Sequence, residues 1–101
     1  MFEKVNIYLD DLREAPSCFI HTKPVEETIN LLKKHNGNID ILSLDNDLGE
    51  GLPEGRKVLD WIEEQCYSNP EYILPDKIVV HSDNGPAVAY MWSVIKKLQH
   101  R

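Results

Sequence analysis

Short β-rich runs alternate with amphipathic helical segments along this chain, and that alternation limits its possible folds more than any other feature. Four runs are rich in strand-forming residues: Val5–Leu9, Cys18–Thr22, Ile39–Leu44 and Lys77–Val80. Helical patterns follow the last three of these runs, at about 24–35, 55–66 and 86–99. This order predicts an α/β protein with a parallel sheet whose strands are connected by crossover helices.

The helix at 24–35 carries the clearest local signals. Pro24 suits the first helical position, where its missing N–H is not needed, and Asn36-Gly37 provides a stop. The segment 11–16 (DLREAP), by contrast, is too short and too limited by proline to form a full helix. Right-handed crossovers between adjacent βα units then predict the strand order 2-1-3-4, in which 18–22 is the weakest strand.

Size and charge restrict the class of protein. With 101 residues the chain is expected to form a single domain, residues 1–101. The net charge of −6 and the lack of a basic stripe argue against a groove for long nucleic acid. The N-terminus lacks the apolar run of a signal peptide, and no stretch approaches 18 apolar residues. We therefore expect a cytoplasmic protein without membrane contact. The oligomeric state is left open.

Polar residues follow three of the four predicted strands: Asp10 and Asp11, Asp45 with Asp47, and His81 with Ser82. Each group alone is typical of a turn or a helix cap. In open α/β sheets, however, ligands bind at the carboxyl ends of the strands. Residues 40–54 also contain five acidic side chains and no Lys or Arg. If these strand ends are neighbours, converging carboxylates require a cation or a shared proton, and Mg²⁺ suits such oxygen ligands.

The motifs IYLDDLR (7–13), SLDNDLG (43–49) and HS (81–82) resemble the cyclic-phosphate processing receiver domain, an offshoot of the response-regulator receivers. The resemblance covers nearly the whole chain. It implies a receiver/flavodoxin-like, three-layer α/β/α fold with a shortened sheet. It also implies that Mg²⁺ binds to Asp10, Asp11 and Asp45. Asp45 would further match the phosphoryl acceptor of receivers, and Ser82 would contact the phosphate.

Two features depart from the pattern of these relatives. Receivers continue to a fifth strand with a phosphate-pairing Lys, and no such strand follows the last predicted helix. Asn46 stands where the offshoot often has His, which leaves His81 as the histidine of the expected pocket.

The function implied by the resemblance is the binding or hydrolysis of cyclic phosphates, at RNA ends or in cyclic nucleotides. The expected catalytic residues are His81, which would move a proton, Asp45, and Asp47, which would orient a water. Arg13 could either pair with an Asp or offer its planar guanidinium to a phosphate, together with Ser82. The main alternative is a non-catalytic or phospho-accepting signalling module, with Asp45 as acceptor. A purely structural role would leave the acidic cluster unexplained.

Overall fold

A computed structural model describes residues 3–48, 51, 53–81 and 85–100. It contains four strands and three helices: β1 (Val5–Leu9), β2 (Phe19–Thr22), α1 (Val25–Lys34), β3 (Ile39–Leu44), α2 (Arg56–Ser68), β4 (Lys77–Val80) and α3 (Gly85–Gln99). Every strand pairing is parallel and the strand order is β2-β1-β3-β4. The predicted class and strand order are therefore confirmed.

The helices begin and end close to the predicted positions, and local sequence explains why. Pro24 precedes α1 as its N-cap residue, Glu26 and Glu27 lie in the first turn, and Lys33 and Lys34 lie in the last. These charges oppose the partial charges of the helix dipole and stabilise both ends. The weakest predicted strand also forms, since β2 pairs with β1 from Phe19 to Thr22.

The aliphatic core lies between one face of the sheet and the helices. On that face the strands contribute buried residues: Ile7, Leu9, Leu42, Leu44 and Ile78. The helices contribute Leu32, Leu59, Ile62, Met91 and Ile95 to the same cluster. α1 packs against α2, and α2 packs against α3. Two right-handed crossovers that run in the same direction across a sheet place their helices on the same face, which agrees with this packing.

The third layer that the resemblance implied does not form in the described part of the chain. A right-handed crossover from β1 to β2 runs in the opposite direction, so a helix there would cover the other face of the sheet. Residues 10–18 instead form a loop, as their length and Pro16 predicted. This uncovered face, which we call the open face, carries alternating residues of all four strands: Phe19, His21, Asn6, Tyr8, Ile41, Ser43, Lys77 and Val79.

The loop 10–18 ends at Cys18, whose φ of 71° lies in the left-handed region. A non-glycine residue pays a conformational cost there, and the tight return into β2 requires it. Among the described residues, no helix is long and apolar enough to cross a membrane.

Candidate functional site

Three chain segments leave the sheet at its carboxyl edge and bring one ionisable residue each to the same place. Asp10 follows β1, Asp45 follows β3 and His81 follows β4. The backbone N–H of each residue still bonds a neighbouring strand: Asp10 to the Thr22 carbonyl at 3.1 Å, Asp45 to Leu9 at 3.0 Å and His81 to Leu44 at 2.9 Å. The sheet ladder therefore fixes the backbone of all three residues.

The side chains of these three residues form a compact, mostly buried cluster. One carboxylate oxygen of Asp10, one of Asp45 and a ring nitrogen of His81 all lie within 4.8 Å of one another. Asp10 is 1% exposed and Asp45 is 7% exposed, while 18% of the His81 side chain is exposed. The strand ends thus converge as the sequence predicted, and the three atoms are close enough to bind a metal ion.

Asp10 is held by four hydrogen-bond donors. Its Oδ1 accepts from the backbone N–H groups of Leu12 at 2.8 Å and Arg13 at 2.9 Å. Its Oδ2 accepts from Arg13 Nη1 at 3.3 Å and from His81 Nε2 at 2.9 Å. Burial by itself would raise the pKa of Asp10, but the bonds from Arg13, Leu12 and His81 outweigh burial and lower it. Asp10 is therefore a carboxylate at neutral pH.

The partners of His81 assign its ring nitrogens. An ionised Asp10 can only accept hydrogen bonds. Nε2 therefore carries a hydrogen and donates a hydrogen bond to the Asp10 carboxylate. In the neutral imidazole, Nδ1 then accepts from the hydroxyl of Ser43, whose Oγ lies 2.7 Å away. The imidazole also stacks on the Tyr8 ring, with centroids 4.2 Å apart and planes within 4°. Burial and the nearby Asp10 charge raise the pKa of Tyr8, which keeps its ring uncharged.

A comparison with known families identifies the domain that carries this cluster. The model of the cyclic-phosphate processing receiver domain matches residues 5–97. The chain belongs to this family. Comparisons with curated proteins and with solved structures give no significant match. The matched range includes Asp10, Asp45 and His81, so the cluster lies inside the receiver domain.

Arg13 connects two loops of this receiver domain. Its Nη1 donates to Asp10 Oδ2 and also to the backbone carbonyl of His81, at 3.0 Å. The guanidinium thus joins the loop after β1 to the segment after β4. Of the two roles expected for Arg13, the structure shows the pairing with Asp. The guanidinium therefore lies beside the cluster.

The other predicted residues of the site are Asp11, Asp47 and Ser82. Asp11 is half-buried and Asp47 is exposed, and neither belongs to the group of three ligand-capable residues found among described positions. Ser82 lies outside the described residues. His81, which was predicted as a proton-transfer group, also has a ring nitrogen at the potential metal site.

Sequence reasoning missed four contributions to the receiver pocket. Tyr8, Ser43 and His21 were given no role in the predicted site. His21 Nε2 lies 2.7 Å from the Asp10 carbonyl and steadies the start of the loop 10–18. Strand alternation places Tyr8, His21 and Ser43 on one face, but the sequence shows no signal that His81 bends over it.

Asn46, the fourth contribution, fastens the loop that follows Asp45. It is buried, its Nδ2 donates to Glu54 at 2.8 Å, and its Oδ1 accepts from the Arg56 backbone N–H at 3.1 Å. Its carbonyl accepts from the Gly55 N–H at 2.7 Å. Asn46 therefore accepts a hydrogen bond from a backbone N–H at the start of α2 and so helps to cap this helix. Its bonds to Glu54 and Gly55 join the two ends of the loop that follows Asp45.

Proposed function

We propose that this receiver domain binds a small cyclic phosphate, in a cyclic nucleotide or at an RNA end, and hydrolyses its ring. The observation that carries the proposal is the convergence of Asp10, Asp45 and His81 at the carboxyl edge of the sheet, within 4.8 Å. A family whose members process cyclic phosphates supplies the substrate class. The net charge of −6 favours a short RNA end or a mononucleotide over long RNA.

A divalent cation fits the donor set of the cluster. Two buried carboxylates about 4 Å apart repel by roughly 4 kcal/mol at the effective dielectric constant of a protein surface, and a cation relieves this repulsion. Asp10 and Asp45 would hold the ion through oxygen, and we propose Mg²⁺ because it prefers such ligands. Asp11, which follows Asp10 in the same loop, is a further candidate ligand. The bound cation would supply positive charge for the oxygens of the phosphate.

A ligand that binds Asp10 must displace one of the hydrogen-bond donors that already contact this carboxylate. Two carboxylate oxygens offer about four acceptor sites, and four donors already occupy them. The two backbone donors on Oδ1 are fixed by the turn. A ligand at Oδ2 therefore displaces Arg13 Nη1 or the His81 Nε2 proton. Either displacement frees a donor beside the cluster to contact the phosphate.

Ring opening needs two proton movements that the side chains can provide. Water forms a new O–P bond, a ring P–O bond breaks, the water loses a proton and the leaving oxygen gains one. In its imidazolium form His81 would give the Nε2 proton to the leaving oxygen and then take up at Nε2 the proton that the water loses, so that the imidazole ends as it began. Asp47, exposed on the following loop, would orient the water. Arg13 and Ser82 would contact the phosphate oxygens.

The alternative function is a phospho-accepting or non-catalytic module. Asp45 favours it, because this carboxylate occupies the strand end that carries the phosphoryl acceptor in receivers and lies in the same cluster. Such a module needs Asp45 and its cation but has no need of proton transfer by His81. The two functions therefore differ in their dependence on His81.

The test is turnover of 2′,3′- and 3′,5′-cyclic nucleotides and of RNA with a cyclic-phosphate end, with and without Mg²⁺. We expect Mg²⁺-dependent turnover of one class, and we expect His81→Gln to lower kcat about 10²–10⁴-fold. His100→Gln is the matched control, because His100 is exposed beyond α3.

Full turnover by His81→Gln would exclude the proton-transfer role. Phosphorylation of Asp45 by a small phosphodonor, with no turnover of any cyclic phosphate, would favour the signalling module.

A further inference from the structure

The His81 side chain crosses the neighbouring strand β3 to reach Asp10. The residue of β3 that lies beneath the imidazole must leave room for it. β4 and β1 lie two strand spacings apart, about 10 Å, with β3 between them. The His81 imidazole nevertheless contacts Asp10 at the end of β1. It passes over β3 at Ser43, whose small side chain both leaves room and bonds Nδ1.

Tyr8 closes the far side of this space. Its ring lies parallel to the imidazole at a centroid distance of 4.2 Å. A parallel, closely spaced ring restricts the imidazole to one plane. The Ser43 bond then decides which nitrogen faces Asp10. Tyr8 on β1 thus sets the plane of the imidazole, and Ser43 on β3 sets which ring nitrogen faces Asp10.

We propose that Tyr8 is a positioning residue for His81, which acts together with Ser43 to present Nε2 to Asp10 and Asp45. Its catalytic consequence rests on the proposed function, whereas the orientation itself does not. Tyr8 contacts His81 through its ring face, so it acts on the site through the imidazole.

The Tyr8 ring is itself held in place from the other side. Phe19 and His21 on β2 meet it edge-on, with centroids 6.1 Å and 5.9 Å away. Tyr8 is only 8% exposed and lies inside β1, next to the end that carries Asp10. Four rings therefore form a row across the open face, from β2 to the end of β4. Phe19 and His21 thus pack against the ring that stacks on the imidazole.

The test compares Tyr8→Phe, which keeps the ring, with Tyr8→Leu, which removes it. Ile78→Ala is the stability control, because Ile78 is buried on the opposite face of β4 and leaves the ring row untouched. The first measurement is NMR of the His81 ring in the cation-free protein at one pH. It reports the upfield shift that a stacked ring causes and the nitrogen that carries the proton. The second measurement is kcat and KM for 2′,3′-cyclic AMP.

We expect Tyr8→Phe and Ile78→Ala to keep the His81 signals and the Nε2–H tautomer of the parent. Tyr8→Leu should lose the ring shift and lower kcat about 10²-fold with little change in KM, because a misplaced catalytic group costs roughly that factor. Unchanged His81 signals in Tyr8→Leu would overturn the proposal. An equal loss in Tyr8→Phe would also overturn it, since it would implicate the hydroxyl.

Turnover of a cyclic phosphate and the orientation of His81 by Tyr8 can fail separately. If the parent turns over no cyclic phosphate, the proposed function fails, while the NMR comparison still decides whether Tyr8 orients His81. Ser43→Val gives an independent check, because a branched side chain fills the space through which the imidazole passes. It should displace His81 from Asp10 as strongly as Tyr8→Leu does, and an undisturbed imidazole would contradict the arrangement.

Discussion

The two faces of the sheet use the same four strands in different ways. The covered face carries aliphatic residues such as Leu42 that are sealed by three helices. The open face carries Tyr8, Ser43 and His21, which contact one another or the residues at the strand ends. Neighbouring residues of one strand, such as Leu42 and Ser43, therefore belong to different environments.

This difference indicates that the residues that stabilise the fold and those that form the candidate site are largely separate in this receiver domain. Burial of aliphatic side chains is the main favourable contribution to folding, and it is concentrated on the covered face. The polar and aromatic contacts on the open face add less free energy but fix the orientation of His81 and Asp10. Substitutions on the covered face should therefore mainly lower stability, whereas substitutions on the open face should mainly disturb the orientation of His81 and Asp10.

The largest expected effect on stability comes from Leu42→Ala on the covered face. Leu42 is fully buried among aliphatic residues, so we expect the free energy of unfolding to fall by about 2–5 kcal/mol. Ser43→Ala, one residue away on the open face, should cost only about 1 kcal/mol for its lost hydrogen bond. Urea unfolding of both variants measures the difference. Equal losses would break the comparison between the faces.

Cation binding should stabilise the protein through the strand ends alone. At a Mg²⁺ concentration about 100-fold above its Kd, the folded state gains about 2.7 kcal/mol. We expect Asp45→Asn to abolish the gain and Leu42→Ala to keep it, since the core residue lies away from the cluster. Thermal unfolding with and without Mg²⁺, followed by a chelator, measures the shift. Asp11→Asn, measured alongside, shows whether the acidic pair contributes a second ligand.

A smaller effect is expected where α2 approaches the site. An added Cβ at Gly55 would lie only 1.7 Å from the Asp45 carbonyl oxygen, so the loop or the helix must move. We expect Gly55→Ala to cost about 1–3 kcal/mol, the usual range for overpacking, and to weaken Mg²⁺ binding. Gly85→Ala at the start of α3 is the matched control, because its Cβ would meet nothing within 4 Å. Equal melting temperatures for the two variants would contradict the close approach.

The smallest effect concerns pH. Because the folded protein lowers the pKa of Asp10, this carboxylate stabilises the fold above its ordinary pKa of about 3.9. That contribution is lost as the pH falls through the lower, folded-state pKa. The difference in unfolding free energy between the parent and Asp10→Asn should therefore shrink as the solution is acidified. A difference that stays constant from neutral pH to about 2 would show that Asp10 is not held as a carboxylate.

The fold was largely predictable because hydrophobic periodicity and turn residues are local signals. Pro24 and Asn36-Gly37 bounded α1 to within a residue, and adjacency of the βα units gave the strand order. The third layer was expected only from family resemblance. The local interpretation of residues 11–16 as too short for a helix was the better guide.

The candidate site was predictable only in part. Asp10, Asp45 and His81 could be found because parallel strands end at the same edge. The roles of Tyr8 and Ser43 could not be found from the sequence, because they depend on the direction in which the His81 side chain leaves β4. Asn46 likewise looked like a family position with a changed residue, whereas its buried bonds to Glu54 and Arg56 require the folded loop.

The loop 10–18 also bears on how this domain can change in length. It is both the crossover between two parallel strands and the segment that holds Asp10 through the N–H groups of Leu12 and Arg13. Most surface loops accept insertions at little entropic cost. Here an extra residue before Arg13 would pull the guanidinium away from His81, and one near Cys18 would alter the entry into β2. Deletions and insertions in this loop therefore act on the site and on the edge of the sheet at once.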